Sequence, residues 1–206
     1  MSAAVGAAAG LLAGPLVWAG IRRFSRRPWP GGPSRIAAVL VCCGVAGGWA
    51  AGWAGGPQVA GAWWVLLVVG VAPAVVDARE HRLPDPLLAA AAVGVFTALG
   101  VAAAGGRGWA SWWQAAAVAG GAFVLMYVVA MFSGTGYGDV KLCAVIAGCA
   151  GFGSPVAALA VLTAGFAAAA LAGLLRLLRG GRLHQPIALG PWLLIGAAAA
   201  LPAVVG

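Results

Sequence analysis

The fold of this chain is organised around a glycine-rich stretch with one acidic residue: SGTGYGDVK, residues 133–141. The stretch stands out because the chain contains only four acidic residues in 206. One of them is Asp139, and the other three lie together in a short polar segment, residues 77–85. Ionisable residues are costly in apolar surroundings and are usually kept there for function. We therefore expect Asp139 and the acidic segment of residues 77–85 to form the functional site.

The composition assigns the chain to the membrane proteins. Hydrophobic residues make up 63% of it and charged residues 8%, whereas soluble domains have about 25% charged residues. Several apolar runs reach or approach the roughly 17–25 residues that a spanning helix needs. The runs cover residues 1–21, 36–54, 59–76, 87–104, 114–132, 140–153, 156–175 and 187–205. The sequence thus predicts an all-α, polytopic membrane protein with about eight transmembrane segments.

We expect a single membrane domain over residues 1–206, because the sequence has neither a long linker nor a soluble segment. Residues 1–54 would form two N-terminal spans joined by a short basic loop from Arg22 to Arg35. Pro28, Pro30 and Pro33 make that loop rich in turns. Residues 59–200 contain both acidic places and would form the functional core.

Basic residues predict the orientation in the membrane. With the N-terminus outside, eleven of the twelve basic residues fall in inner loops, and only Arg107 lies outside. This asymmetry follows the positive-inside rule. Tryptophans 109, 112 and 113, next to Arg107, would mark the outer interface. The same threading places Asp77 and Asp139 together on the cytoplasmic side.

The sixth apolar run predicts how deep Asp139 lies. About 14 residues give roughly 21 Å of helix, which is shorter than the hydrocarbon core of about 30 Å. We therefore expect Asp139 to be recessed within the inner leaflet, with the glycine stretch as a non-helical approach. Irregular backbone at that depth must line a cavity or be buried in protein.

Two carboxylates that share a water-filled cavity predict acid–base catalysis. At close range they cannot both ionise easily, so the pair shares a proton. The ionised carboxylate takes a proton from water while the protonated one polarises a peptide carbonyl. This chemistry is aspartyl proteolysis, for which no metal or organic cofactor is expected. Glycines 134, 136 and 138 would let the backbone approach a substrate closely.

The two acidic places resemble the signature of a known family. Residues 136–139 match the GxGD signature of intramembrane-type aspartyl proteases, and the following VKL makes the stretch similar to bacterial prepilin peptidases, or type IV leader peptidases. In that family another catalytic aspartate precedes a Leu-Pro-Asp tripeptide, as Asp77 precedes residues 83–85 here. Residues 186–191 (PIALGP) are similar, less closely, to a Pro-Phe-Gly-Pro segment of the family. The resemblance covers about residues 59–200.

The resemblance implies an aspartic endopeptidase that removes the basic leader from prepilins or pseudopilins at the cytoplasmic face of the bacterial cell membrane. It implies Asp77 and Asp139 as the catalytic pair. The expected supporting or substrate-binding residues are Gly136, Gly138, Lys141, Pro84 and Asp85. The expected partners are the prepilin substrate and the lipid bilayer, without nucleic acid.

The chain departs from the family in one respect. Many members also N-methylate the new terminus and have a large cytoplasmic domain after the first span, often with paired Cys-x-x-Cys motifs. Here only Arg22 to Arg35 occupies that place, and the sequence contains no Cys-x-x-Cys. The pattern favours a peptidase without methyltransferase activity. The four cysteines, Cys42, Cys43, Cys143 and Cys149, are interpreted as packing residues.

Other interpretations stay open at this point. Paired membrane aspartates also relay protons or bind cations in transporters, and small residues pack well around such a path. A scaffold protein is a third possibility, but it leaves the glycine stretch unexplained. Arg79, Glu80 and Arg82 are interpreted as a solvated loop. Asp85 either supports the site or simply begins the fourth helix.

Overall fold

The computed structural model describes residues 2–26, 32–53, 57–180 and 187–205, and these form eight α-helices. A short π-helical turn, Ala103–Arg107, extends the fourth helix. The helices are α1 (Ala3–Phe24), α2 (Pro33–Trp53), α3 (Pro57–Glu80), α4 (Asp85–Ala102), α5 (Trp109–Ser133), α6 (Tyr137–Gly151), α7 (Pro155–Leu178) and α8 (Leu189–Val205). The predicted all-α, polytopic membrane fold is confirmed.

Six of the helices, α1 to α5 and α7, are long and apolar enough to cross a membrane. The other two are shorter: α6 has 15 residues and α8 has 17. The sixth segment is therefore short, as predicted. It is also the centre of the bundle, since nearly every residue from Val140 to Gly151 is buried.

Two predicted boundaries were wrong. The third helix extends beyond the predicted run of residues 59–76, because α3 continues for one more turn to Glu80. The basic loop is shorter than expected, because α2 begins at Pro33 and includes Arg35. Proline fits the first position of a helix, where its missing N–H costs nothing. Pro28 and Pro30, which were predicted to form turns, lie outside the described residues.

Glycines allow two pairs of helices to touch backbone to backbone. In α1, Gly6, Gly10 and Gly14 recur every fourth residue and face α2. A Cβ atom on Gly10 would overlap the carbonyl group of Cys43 in α2. In the same way, a Cβ atom on Gly196 of α8 would overlap the backbone of α7 at residues 164–165. Such close contacts stabilise helix pairs in membranes, where dispersion replaces the hydrophobic effect.

Candidate active site

The two aspartates lie at the same end of the bundle, where α3, α6 and α8 meet. Asp77 is in the last turn of α3, and Asp139 is in the first turn of α6. Leu83 lies in the connection between α3 and α4. It packs between the beginning of α6 and the beginning of α8. A Cβ atom on Gly138 would lie 2.6 Å from the Cβ of Leu83, and one on Gly190 would lie 3.3 Å from its Cδ2.

Asp77 is held by the beginning of α8. Its side chain is buried, and its Oδ2 accepts a hydrogen bond of 2.8 Å from the backbone N–H of Gly190. A Cβ atom on residue 190 would lie 3.0 Å from the same oxygen. Glycine thus permits this approach, and the N-terminal end of a helix favours a negative charge beside it.

Asp139 has one oxygen whose hydrogen-bonding capacity is unsatisfied. Its Oδ1 is buried and has no hydrogen-bond partner among the described residues. The Asp139 carboxyl group lies within electrostatic range of Asp77. A buried polar atom without a partner is rare in proteins and requires a reason. An oxygen in this state is suited to bind a water molecule or a substrate group.

The glycine stretch before Asp139 is non-helical over residues 134–136, whereas Tyr137 and Gly138 already belong to α6. Gly134 ends α5 in the left-handed conformation, with φ of 72°, which favours glycine. Gly136 is extended and precedes the first residue of α6. Gly136 is also exposed, and a Cβ atom added to it would lie 3.4 Å from Oδ2 of Asp139. The backbone next to this carboxylate is therefore open on the Gly136 side and closed on the Gly138 side by Leu83.

Three other predicted site residues lie beside the pair. Lys141 Nζ forms an ion pair of 2.6 Å with Oδ1 of Asp85, and so joins the first turn of α6 to the first turn of α4. The Asp85 side chain is largely exposed to solvent and the Lys141 side chain is partly exposed. Pro84 is buried and precedes α4 directly. Their participation in the reaction stays a prediction.

Glu80 does not belong to a solvated loop, so that prediction was wrong for this residue. Its side chain is only 5% exposed. It accepts hydrogen bonds from the Ser25 hydroxyl group, from the backbone N–H of Arg26 at 3.1 Å, and from Nε of Arg82 at 3.0 Å. Arg82 in turn donates to the carbonyl of Phe24. Glu80 therefore fastens the end of α1 to the connection that positions Leu83.

We expect Glu80→Gln to destabilise the protein by about 1–3 kcal/mol, because hydrogen bonds to a buried charged group are lost. Denaturation with sodium dodecyl sulfate, followed by circular dichroism, would measure the difference. Asp85→Asn is the matched control, since it makes the same chemical change in an exposed ion pair worth about 1 kcal/mol at most. Equal effects of the two variants would contradict the anchoring role of Glu80.

The sequence did not assign a role to Gly190 or to Leu83. Gly190 lies in the PIALGP segment, and that resemblance was the signal that pointed to it. Leu83 belongs to the Leu-Pro-Asp tripeptide, in which only Pro84 and Asp85 were singled out. Within the described parts of the chain, no group of three or more His, Cys, Asp or Glu side chains could hold a metal ion.

Comparison with known proteins gives one match. A model of the type IV leader peptidase family matches residues 62–175, which is more than half of the chain. The matched range includes Asp77, Leu83 and Asp139, and it ends before Gly190. No curated protein and no solved structure matches the chain.

Proposed function

Since the chain belongs to the type IV leader peptidase family, as its sequence predicted, we propose that it is an aspartyl endopeptidase with Asp77 and Asp139 as its catalytic pair. One observation supports this proposal above the others. Two carboxylates that lie 62 residues apart in the sequence come within electrostatic range of each other at one end of the bundle, and the buried Oδ1 of Asp139 has no hydrogen-bond partner among the described residues.

The surroundings of the two carboxylates suggest which one acts as the base. The N–H of Gly190 donates to Asp77, and a donor of this kind favours the ionised carboxylate. The Asp77 carboxylate removes a proton from water, and the water oxygen attacks the carbonyl carbon of the peptide bond. Protonated Asp139 donates a hydrogen bond to the carbonyl oxygen. The tetrahedral intermediate then collapses, and the leaving amine takes up the proton that water gave to Asp77.

We propose that the substrate is a prepilin or pseudopilin, and that the leader is removed at the cytoplasmic face of the bacterial cell membrane. The distribution of basic residues supports this side, since the helix ends that contain Asp77 and Asp139 lie beside the inner loops of the predicted topology. Gly136 would give the substrate backbone room, and Gly138 would let Leu83 pack against the beginning of α6. Lys141, Pro84 and Asp85 would fix the beginning of α4 against α6.

Co-expression with a prepilin or pseudopilin encoded nearby would test this function. We expect the pilin to lose the mass of its leader, and we expect a new N-terminus directly before its apolar helix. Gel mobility and intact-mass measurement would detect the change, and the pilin expressed alone is the control. If every such pilin stayed intact, a transporter function of the paired aspartates would be favoured instead.

A further inference from the structure

A groove of about 510 Å³ runs between α2, α3 and α8, and every side chain in its lining is apolar. Its walls include Cys42 and Val45 of α2, Val71 and Ala74 of α3, and Leu194 of α8. The groove passes the part of the chain that contains Asp77. Ala78 and Pro191 line it, and these residues directly follow Asp77 and Gly190 in the sequence.

A second cavity of about 420 Å³ continues the groove towards the end of the bundle where the aspartates lie. The two cavities share Cys42 and Val75 in their linings. The second one is lined by two arginines, Arg35 in the first turn of α2 and Arg79 in the last turn of α3. None of the residues that line the two cavities is acidic. The combined space is therefore cationic at one end and apolar along the rest.

The dimensions of the groove fit an extended hydrocarbon chain. From Arg35 to Trp49, α2 advances about 21 Å, which exceeds the roughly 15 Å that one leaflet of the hydrocarbon core occupies. At the far end, Nε1 of Trp49 donates a hydrogen bond of 2.8 Å to the carbonyl of Ala198 in α8. This bond joins α2 to α8 and limits the groove there.

We propose that the two cavities together bind one anionic glycerophospholipid, with its phosphate between Arg35 and Arg79 and an acyl chain in the groove. Guanidinium groups match the geometry of phosphate oxygens and form paired, charge-assisted hydrogen bonds with them. Basic pockets between membrane helices are known to bind anionic headgroups. The proposal does not depend on peptidase activity, because the site consists of residues outside the carboxylate pair.

A lipid at this site would stabilise the packing of α2 against the rest of the bundle. Helix α2 lies outside the range that matches the family, whereas the part of α3 that lines the groove lies within it. A lipid bound between them would hold α2 against the core, next to the α3 and α8 residues that position Asp77. Binding to the folded state also raises its stability. We expect phosphatidylglycerol to raise the thermal denaturation temperature of the purified protein more than phosphatidylcholine does.

Native mass spectrometry of the full chain in detergent would test the proposal. We expect phosphatidylglycerol to be retained at concentrations at least tenfold lower than phosphatidylcholine with the same acyl chains. The double variant Arg35→Gln/Arg79→Gln should lose this preference. Its matched control is Arg22→Gln/Arg176→Gln, which removes two charges in the last turns of α1 and α7, outside both cavities. Equal retention of the two lipids by the wild-type protein would overturn the proposal.

A second variant tests the apolar part of the site. Cys42 is exposed and lies where the two cavities join. Cys42→Trp should fill this junction without disturbing the core, and it should weaken phosphatidylglycerol binding at least tenfold although both arginines remain. Inorganic phosphate at millimolar concentration should fail to displace the lipid. Displacement by phosphate, together with normal lipid binding by Cys42→Trp, would show a site for free anions and overturn the proposal.

Discussion

Asp139→Asn is expected to reduce leader cleavage by at least about 10³-fold, and Asp77→Asn is expected to have the same effect. Asparagine keeps the shape of the side chain but can neither take a proton from water nor act as a carboxylic acid, and proton transfer contributes about 10²–10⁴-fold to such reactions. The double variant should be no worse than either single one, because residues that act as a unit give non-additive losses. Initial rates with a purified prepilin would measure the effects.

Glu80→Gln is the matched control for the aspartate variants. It also converts a buried carboxylate into an amide, in the same turn of α3 as Asp77, but its partners are Ser25, Arg26 and Arg82. We expect it to lower stability and to leave the cleavage rate within a fewfold of wild type at low temperature. Cleavage by Asp77→Asn or Asp139→Asn at a rate close to wild type would refute the aspartyl mechanism.

Gly196→Ala is expected to destabilise the protein by about 1–3 kcal/mol, the usual cost of inserting a methyl group into a packed interface. The added Cβ would overlap the backbone of Gly165, so α7 and α8 must move apart. Because α8 contributes the N–H that binds Asp77, we also expect a lower cleavage rate. Denaturation with sodium dodecyl sulfate and the prepilin assay would measure the two effects.

Gly121→Ala provides the comparison for this change. Gly121 lies in α5, and a Cβ atom added to it would have no atom within 4 Å, so the same methyl group meets open space. We expect no loss of stability or activity from it. If Gly196→Ala behaved like Gly121→Ala, the close contact between α7 and α8 would not exist in the membrane.

Helices and their approximate bounds could be predicted because each apolar run must satisfy its backbone hydrogen bonds internally. The pair of aspartates could be found because acids are scarce in the sequence. The predictions of helix ends and of burial were wrong where polar residues follow an apolar run. Glu80 stays helical because the end of α1 supplies donors to its carboxylate, a contact across 55 residues of sequence. Hydropathy contains no information about such a partner.

The arrangement of the helices could not be predicted, because in a bilayer the lipid-facing and buried sides of a helix are both apolar. In α4, for example, Val93 is exposed while Val95 is fully buried. The contact of Gly190 with Asp77 joins residues 113 positions apart, and no periodicity in the sequence indicates it. For this reason the hydrogen bond between Gly190 and Asp77 emerged only from the structure, although the PIALGP resemblance had pointed to the segment.

The glycine contact between α1 and α2 has a consequence for biosynthesis. Gly6 and Gly10 meet backbone carbonyl groups of α2 and Gly14 meets Leu40, so this interface is formed within the first 53 residues. The two helices can pair as soon as the second enters the bilayer, without waiting for any later helix. A preassembled hairpin would then give α3 a surface to pack against when it enters the bilayer. The helix that contains Asp77 would thus be packed before α6, which contains Asp139, is inserted.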